Sequence, residues 1–125
     1  MKALGLAFAF TCLAAPAFAE PTACVGAGYQ VAKKAFVENL NASNAALTSR
    51  DYGGALMLAV AARPHTSNAQ QAVAVTQLEV AAHVGLDDRA AASSLMKQAI
   101  ADVCLPSEVR MSYVAMLAKW GGPLN

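Results

Sequence analysis

Charged residues are scarce in this chain, and neither sign predominates. Of its 125 residues, 14% are charged, and the formal net charge is +1. A nucleic-acid-binding protein would carry a basic stripe or a strongly positive total, so that class is excluded. Disorder is excluded too, because 57% of the residues are hydrophobic and the net charge is low. The length leaves room for a single domain.

Long hydrophobic runs are also missing. No stretch reaches the ~18 unbroken apolar residues that a transmembrane helix needs. Residues 1–19 contain the three parts of a secretory signal peptide, namely Lys2, an uncharged apolar core and the sequence A-F-A at positions 17–19. Cleavage before Glu20 would leave one helical domain over residues 20–125. We therefore expect a periplasmic or secreted protein with no membrane span after cleavage.

Cysteine is rare, and the spacing of the cysteines along the chain limits the roles that they can have. The chain has three cysteines, and signal cleavage would remove Cys12. Cys24 and Cys104 lie near the two ends of an exported chain, which predicts a disulfide between them. A redox pair or a zinc site is disfavoured, because the two are far apart and no His or Cys stands near either. Closing a loop of about 80 residues would stabilise the fold by roughly 4 kcal/mol.

Motifs of catalysis and cofactor binding are absent. The sequence contains no G-x-S-x-G, no H-E-x-x-H, no phosphate-binding glycine loop and no C-x-x-C-H. The two histidines have simple interpretations. His65 follows a proline in a turn, and His83 lies at the end of a predicted helix, where imidazole interacts favourably with the helix dipole. We expect no enzymatic activity, no catalytic residue and no cofactor.

Two sets of possible metal ligands also have structural interpretations. Asp87 and Asp88 precede Arg89 and fit the start of a helix better than a calcium site, which would need more oxygens at alternate positions. Methionines could suit a copper carrier, but no M-x-x-M or His-Met cluster occurs. Met96 and Met116 belong to apolar stripes instead. We predict no metal site.

Alanine is what the sequence has in abundance. It fills 23 of the positions in residues 20–125, and such a composition favours helix. Apolar stripes at helical spacing predict five helices with short connections, which pack antiparallel as an all-α bundle or a helical-hairpin repeat. The five predicted helices run from Val25 to Leu40, between Asn44 and Arg63, from Asn68 to Val84, from near Asp88 to Val103, and from after Pro106-Ser107 to a stop at Gly121-Gly122-Pro123. Ser67 is the predicted cap of the third helix and Gly85 its predicted terminator. Gly53 and Gly54 should split or delay the second helix.

The chain also matches itself after a shift of 37 residues. Identical pairs at this shift include Asp51 and Asp88, Ala55 and Ala92, Leu58 and Leu95, Ala62 and Ala99, Ala81 and Ala118, and Gly85 and Gly122. The D-Y-G-G-A sequence at 51–55 with Ala62, and a poorer copy at 88–92 with Ala99, resemble tetratricopeptide-type helical repeats over residues 44–122. That resemblance implies a protein-binding scaffold without chemistry of its own. A plain helical bundle is the alternative.

These features predict an exported, non-enzymatic protein-interaction module. Exposed polar residues at loop ends are the candidate partner-binding groups, because interaction sites tend to lie there. They are Arg50, Arg63 and His65 around the second loop, and Asp87 and Arg89 around the fourth. Two alternatives are an immunity protein that neutralises an exported toxin, and an acid-stress periplasmic chaperone in which the two histidines titrate.

Overall fold

The structure, a computed structural model, describes residues 32–121, which form helices joined by short turns and loops and contain no strand. The five helices are α1 (Lys34–Thr48), α2 (Tyr52–Ala62), α3 (Ala69–Gly85), α4 (Arg89–Ile100) and α5 (Ser107–Lys119), and a short 3-10 helix (Arg63–His65) follows α2. The predicted all-α class is confirmed. The predicted signal segment 1–19, Cys24 and the predicted start of the first helix at Val25 lie outside the described residues. No helix within 32–121 is long and apolar enough to cross a membrane.

Two tight turns, between α1 and α2 and between α3 and α4, have the same construction. Arg50 and Asp87 occupy the left-handed conformation, with φ of 64° and 60°. The next residue, Asp51 or Asp88, donates its N–H to the carbonyl five residues earlier, at 2.8 and 2.9 Å. This is the Schellman arrangement that ends a helix. Each of these aspartates then caps the following helix by accepting from the N–H three residues on, at 3.0 and 3.1 Å.

The two hairpins also match in their helix ends. Adding 37 to the last residue of α1 and the first of α2 gives the last residue of α3 and the first of α4. Ala55 and Ala92, which correspond at this offset, are both completely buried. The self-match in the sequence therefore coincides with two turns of the same geometry and with matching helix ends on both sides of them.

The helices are stacked in chain order, with α3 in the middle. Each packs mainly against its sequence neighbours, and α1 also touches α3. The core is accordingly divided into two clusters. One is centred on Phe36, Ala59, Ala62 and Val75. The other is centred on Val80, Ala92, Met96, Leu105, Tyr113 and Leu117. Because α3 contributes Val75 to one cluster and Val80 to the other, it is apolar on two sides.

The first two helices divide at a place that the sequence did not mark. The predicted second helix was bounded only by residues 44 and 63, but α1 continues to Thr48 and α2 begins at Tyr52. Arg50 makes the left-handed turn without glycine, so the usual terminator was missing. Gly53 and Gly54 lie inside the first turn of α2, so they neither split this helix nor delay its start.

Two expectations about the ends of α3 were wrong. The N-cap is Asn68, whose side-chain oxygen accepts the Gln71 N–H at 2.9 Å, whereas Ser67 donates its N–H to the Gln71 side chain. Gly85 is the last helical residue and not the left-handed terminator, which is Asp87. The space at Gly85 is taken by the Tyr52 ring, which a Cβ there would overlap.

The connection between α4 and α5 is held by an arginine. The guanidinium of Arg110 donates to the carbonyl oxygens of Ile100, Asp102 and Leu105, the last two at 2.9 and 3.5 Å. These contacts satisfy carbonyls that the end of α4 leaves without helical partners. The predicted fourth helix was therefore too long, and Val103, assigned to its apolar stripe, is 75% exposed.

Candidate binding surfaces

Two depressions on the described part of the helix stack are lined by charged and apolar side chains together. We call the first the Arg63 crevice. It is a cavity of about 300 Å³ between the end of α2 and helices α3 and α4. A smaller cavity of about 110 Å³ adjoins it and shares Arg63, Thr76 and Ala99 of its lining. The larger cavity is lined by Arg63, Thr76, Glu79, Leu95, Gln98 and Ala99.

An ion pair forms the polar floor of the Arg63 crevice. Glu79 is only 6% exposed. Its two carboxylate oxygens accept from Nε and Nη2 of Arg63 at 3.3 and 3.1 Å, and Nη2 also donates to the Thr76 hydroxyl at 2.9 Å. A buried carboxylate needs such a partner, because leaving it unpaired would cost several kcal/mol. Arg63 remains reachable from solvent, since 41% of its side chain is exposed.

The crevice follows a stripe of α3 that sequence reasoning missed. Ala72, Thr76 and Glu79, which line the crevice or the smaller cavity beside it, are spaced i, i+4 and i+7 on one helical face. His83, at i+11, continues this face beyond the crevice. This face lies between the sides that carry Val75 and Val80. Polar side chains at helical spacing between two apolar flanks were the signal that could have revealed the crevice.

The second depression, the Arg89–Trp120 groove, is larger and more open. Its volume is about 570 Å³, and it lies between the ends of α3 and α5 and the start of α4. The lining residues are Val84, Arg89, Ser112, Ala115, Met116, Lys119 and Trp120. The Arg89 guanidinium carbon lies 5.3 Å from the centroid of the Trp120 ring, which is cation–π geometry. The lining contains two cations and no carboxylate.

The five predicted partner-binding residues are not brought together. Arg50 and Arg63, assigned to one loop, lie at opposite ends of α2, whose 11 residues span about 16 Å. That grouping was wrong because α1 and α2 are separate helices joined by a turn at Arg50. Arg63 lines the crevice, and Arg89 lines the groove. His65 is the last residue of the 3-10 helix, and Asp87 lies exposed in a turn. His65, Asp87 and Arg50 line neither depression.

Neither histidine lines these depressions. Nδ1 of His83 is buried without a hydrogen bond and lies 3.9 Å from the Asp88 carboxylate. Within residues 32–121, no group of three or more His, Cys, Asp and Glu side chains could hold a metal ion.

Comparison with known proteins identifies no relative of this chain. No family model matches the chain, and neither a curated protein nor a solved structure does. Any function therefore has to be inferred from the two depressions and the chemistry of their linings.

Proposed function

We propose that this protein is an exported, non-enzymatic interaction module that binds another protein. The observation that supports this most is the stacking of the described helices in chain order, with two matching hairpins. Helical-repeat scaffolds are built this way, and their grooves bind partner segments. The resemblance of residues 51–62 to tetratricopeptide-type repeats favours the same function.

Site-specific photo-crosslinking in the native cells tests this function. A photoreactive side chain would replace Gln98 in the Arg63 crevice or Ser112 in the Arg89–Trp120 groove, and Gln77 on the exposed side of α3 would be the control. We expect one partner protein to be crosslinked from at least one depression and not from Gln77. Crosslinks from all three positions, or from none, would contradict a dedicated interaction surface.

The partner's identity separates the alternative functions. A toxin captured from either depression would favour the immunity protein, and many unrelated proteins captured only at low pH would favour the acid-stress chaperone. A single envelope protein captured at neutral pH would favour the interaction module.

Export and the Cys24–Cys104 disulfide are part of the proposal. The signal-like sequence of residues 1–19 supports export, and the spacing of Cys24 and Cys104 supports a disulfide between them. Cys24 lies outside the described residues, and Cys104 lies in the α4–α5 connection, where its N–H donates to the Asp102 carboxylate at 2.9 Å. Intact mass should show a chain that begins at Glu20 and is about 2 Da lighter than its dithiol form. A chain that retains residues 1–19, or one whose two thiols are alkylated without reduction, would contradict this part.

A further inference from the structure

The Arg89–Trp120 groove combines exposed apolar surface with two cations that have no acidic partner within residues 32–121. Val84 is 41% exposed on the last turn of α3. Met111, 70% exposed, lies one helical turn before Ala115 and extends the apolar surface along α5. Within the described residues, no carboxylate lies within 4 Å of the charged nitrogens of Arg89 or Lys119. The groove thus has an apolar floor with two cations in its lining.

The two acids that precede Arg89, Asp87 and Asp88, do not line the groove. The Asp88 carboxylate accepts the Ala91 N–H at 3.1 Å and faces His83 at 3.9 Å, so it caps α4. Asp87 lies in the left-handed turn and does not line the groove. Among residues 32–121, no acidic side chain therefore neutralises the positive charge of the groove.

Trp120 orients one of the cations. The guanidinium of Arg89 lies over the indole ring, which fixes its position without using its N–H donors. A planar guanidinium held in this way can offer two parallel N–H groups to a carboxylate. Lys119 adds a second positive charge to the lining.

We propose that the Arg89–Trp120 groove docks a segment of another protein in which carboxylates flank apolar side chains. This inference rests on the proposed function and specifies the chemistry of the partner. Charge complementarity favours an acidic segment over a second copy of this chain, because residues 20–125 contain eight basic and eight acidic side chains and have no net attraction for the groove.

A designed peptide tests the proposal directly. The probe is an acetylated, fluorescein-labelled peptide of Glu-Leu-Leu-Glu repeats, and its binding to the mature protein is followed by anisotropy. Trp120 is the only tryptophan of the chain, so its intrinsic fluorescence reports whether the unlabelled peptide reaches the groove. We expect saturable binding that weakens with salt, and a saturable change in Trp120 emission.

Matched variants of the protein and of the peptide test whether binding depends on the charges of the groove and of the peptide. We expect Arg89→Gln and Lys119→Gln each to weaken binding about tenfold, and Lys97→Gln, which removes an exposed charge from α4 outside the groove, to leave it unchanged. A peptide with Gln in place of Glu should bind at least about tenfold more weakly. Thermal unfolding of each variant verifies that it folds.

Three results would overturn the proposal. They are equal binding of the Glu and Gln peptides, unchanged affinity in both Arg89→Gln and Lys119→Gln, and a Trp120 emission that depends on protein concentration without peptide, which would identify a second copy as the occupant. Photo-crosslinks from Ser112 in the absence of peptide binding would refute the acidic chemistry and leave the interaction function intact. Peptide binding without any crosslink in cells would refute the function alone.

Discussion

At the scale of single residues, Arg50 and Asp87 hold a conformation that glycine adopts at little cost. A side chain in the left-handed region costs about 1–2 kcal/mol, less for aspartate. We predict that Arg50→Gly raises the free energy of unfolding by roughly 0.5–1 kcal/mol, because the relief of strain exceeds the added flexibility of the unfolded chain. Asp87→Gly should give a smaller gain. Urea denaturation measures both.

Arg50→Ala is the matched control for this prediction. It removes the same charged side chain but keeps a Cβ, so it should not stabilise the protein. If alanine and glycine raise stability equally, the cause is the loss of the Arg50 charge and not its backbone conformation.

Tyr113 has a buried hydroxyl that finds no hydrogen-bond partner among the described residues. The ring is 4% exposed, and its burial raises the pKa of the phenol above the ordinary value of 10. Since leaving a polar group unpaired costs about 1–3 kcal/mol, we predict that Tyr113→Phe is neutral or stabilising at pH 7. A loss of more than about 1 kcal/mol would mean that the hydroxyl is satisfied after all.

The same residue gives a prediction about alkaline pH. The unfolded chain releases the Tyr113 proton near pH 10, but the folded chain retains it to higher pH. Above pH 10 the unfolded state therefore binds fewer protons, and stability falls as the pH rises. We expect the wild type to lose more stability than Tyr113→Phe between about pH 9 and 11. Denaturation curves that shift in parallel over this range would contradict the raised pKa.

At the scale of helices, Gly85 sets how closely α3 approaches α2. A Cβ at this position would overlap the Tyr52 ring, whereas one at Gly53 would meet nothing within 4 Å. We predict that Gly85→Ala destabilises the protein by about 1–3 kcal/mol through overpacking. Gly53→Ala, also inside a helix, should stabilise it by about 0.5–1 kcal/mol. Thermal unfolding of both variants measures the contrast, and a gain in both would show that Tyr52 moves away freely.

How far the helices could be predicted depended on local signals. The start of α5 after Pro106 and its stop near Gly121 were predicted well, because proline and glycine mark them. The turn at Arg50 was not, because its left-handed residue is not glycine. Likewise, the sequence placed Arg63 at a helix end but could not show that Glu79, 16 residues later, is buried against it. Long-range contacts of this kind depend on how helices pack and not on periodicity.

At the scale of the whole molecule, stacking in chain order implies stability that varies along the chain. Within residues 32–121, α3 is the helix that contributes to both core clusters, so a defect in one cluster should affect mainly its own helices. Met96 is completely buried in the cluster shared by α4 and α5. We predict that Met96→Ala costs about 2–4 kcal/mol and speeds hydrogen exchange in α4 and α5 more than in α1 and α2.

Phe36→Ala is the reciprocal control. It removes a ring from the cluster shared by α1 and α2, and it should speed exchange there more than in α5. If hydrogen exchange is accelerated equally in all five helices of both variants, the helices unfold as one cooperative unit. That result would contradict the division of the core into two clusters.

The matching turns at Arg50 and Asp87 make the architecture extendable. Residues 52–88 begin directly after one helix-capping aspartate and end on the other, so an in-frame tandem duplication of this segment would join Asp88 to a second Tyr52 through a turn already present. The inserted α2 would place Ala59 where Met96 now packs, so the lengthened protein would keep its backbone path but leave an underfilled interface at the new junction. The length of this stack is therefore limited by side-chain volume at its interfaces and not by the geometry of its connections.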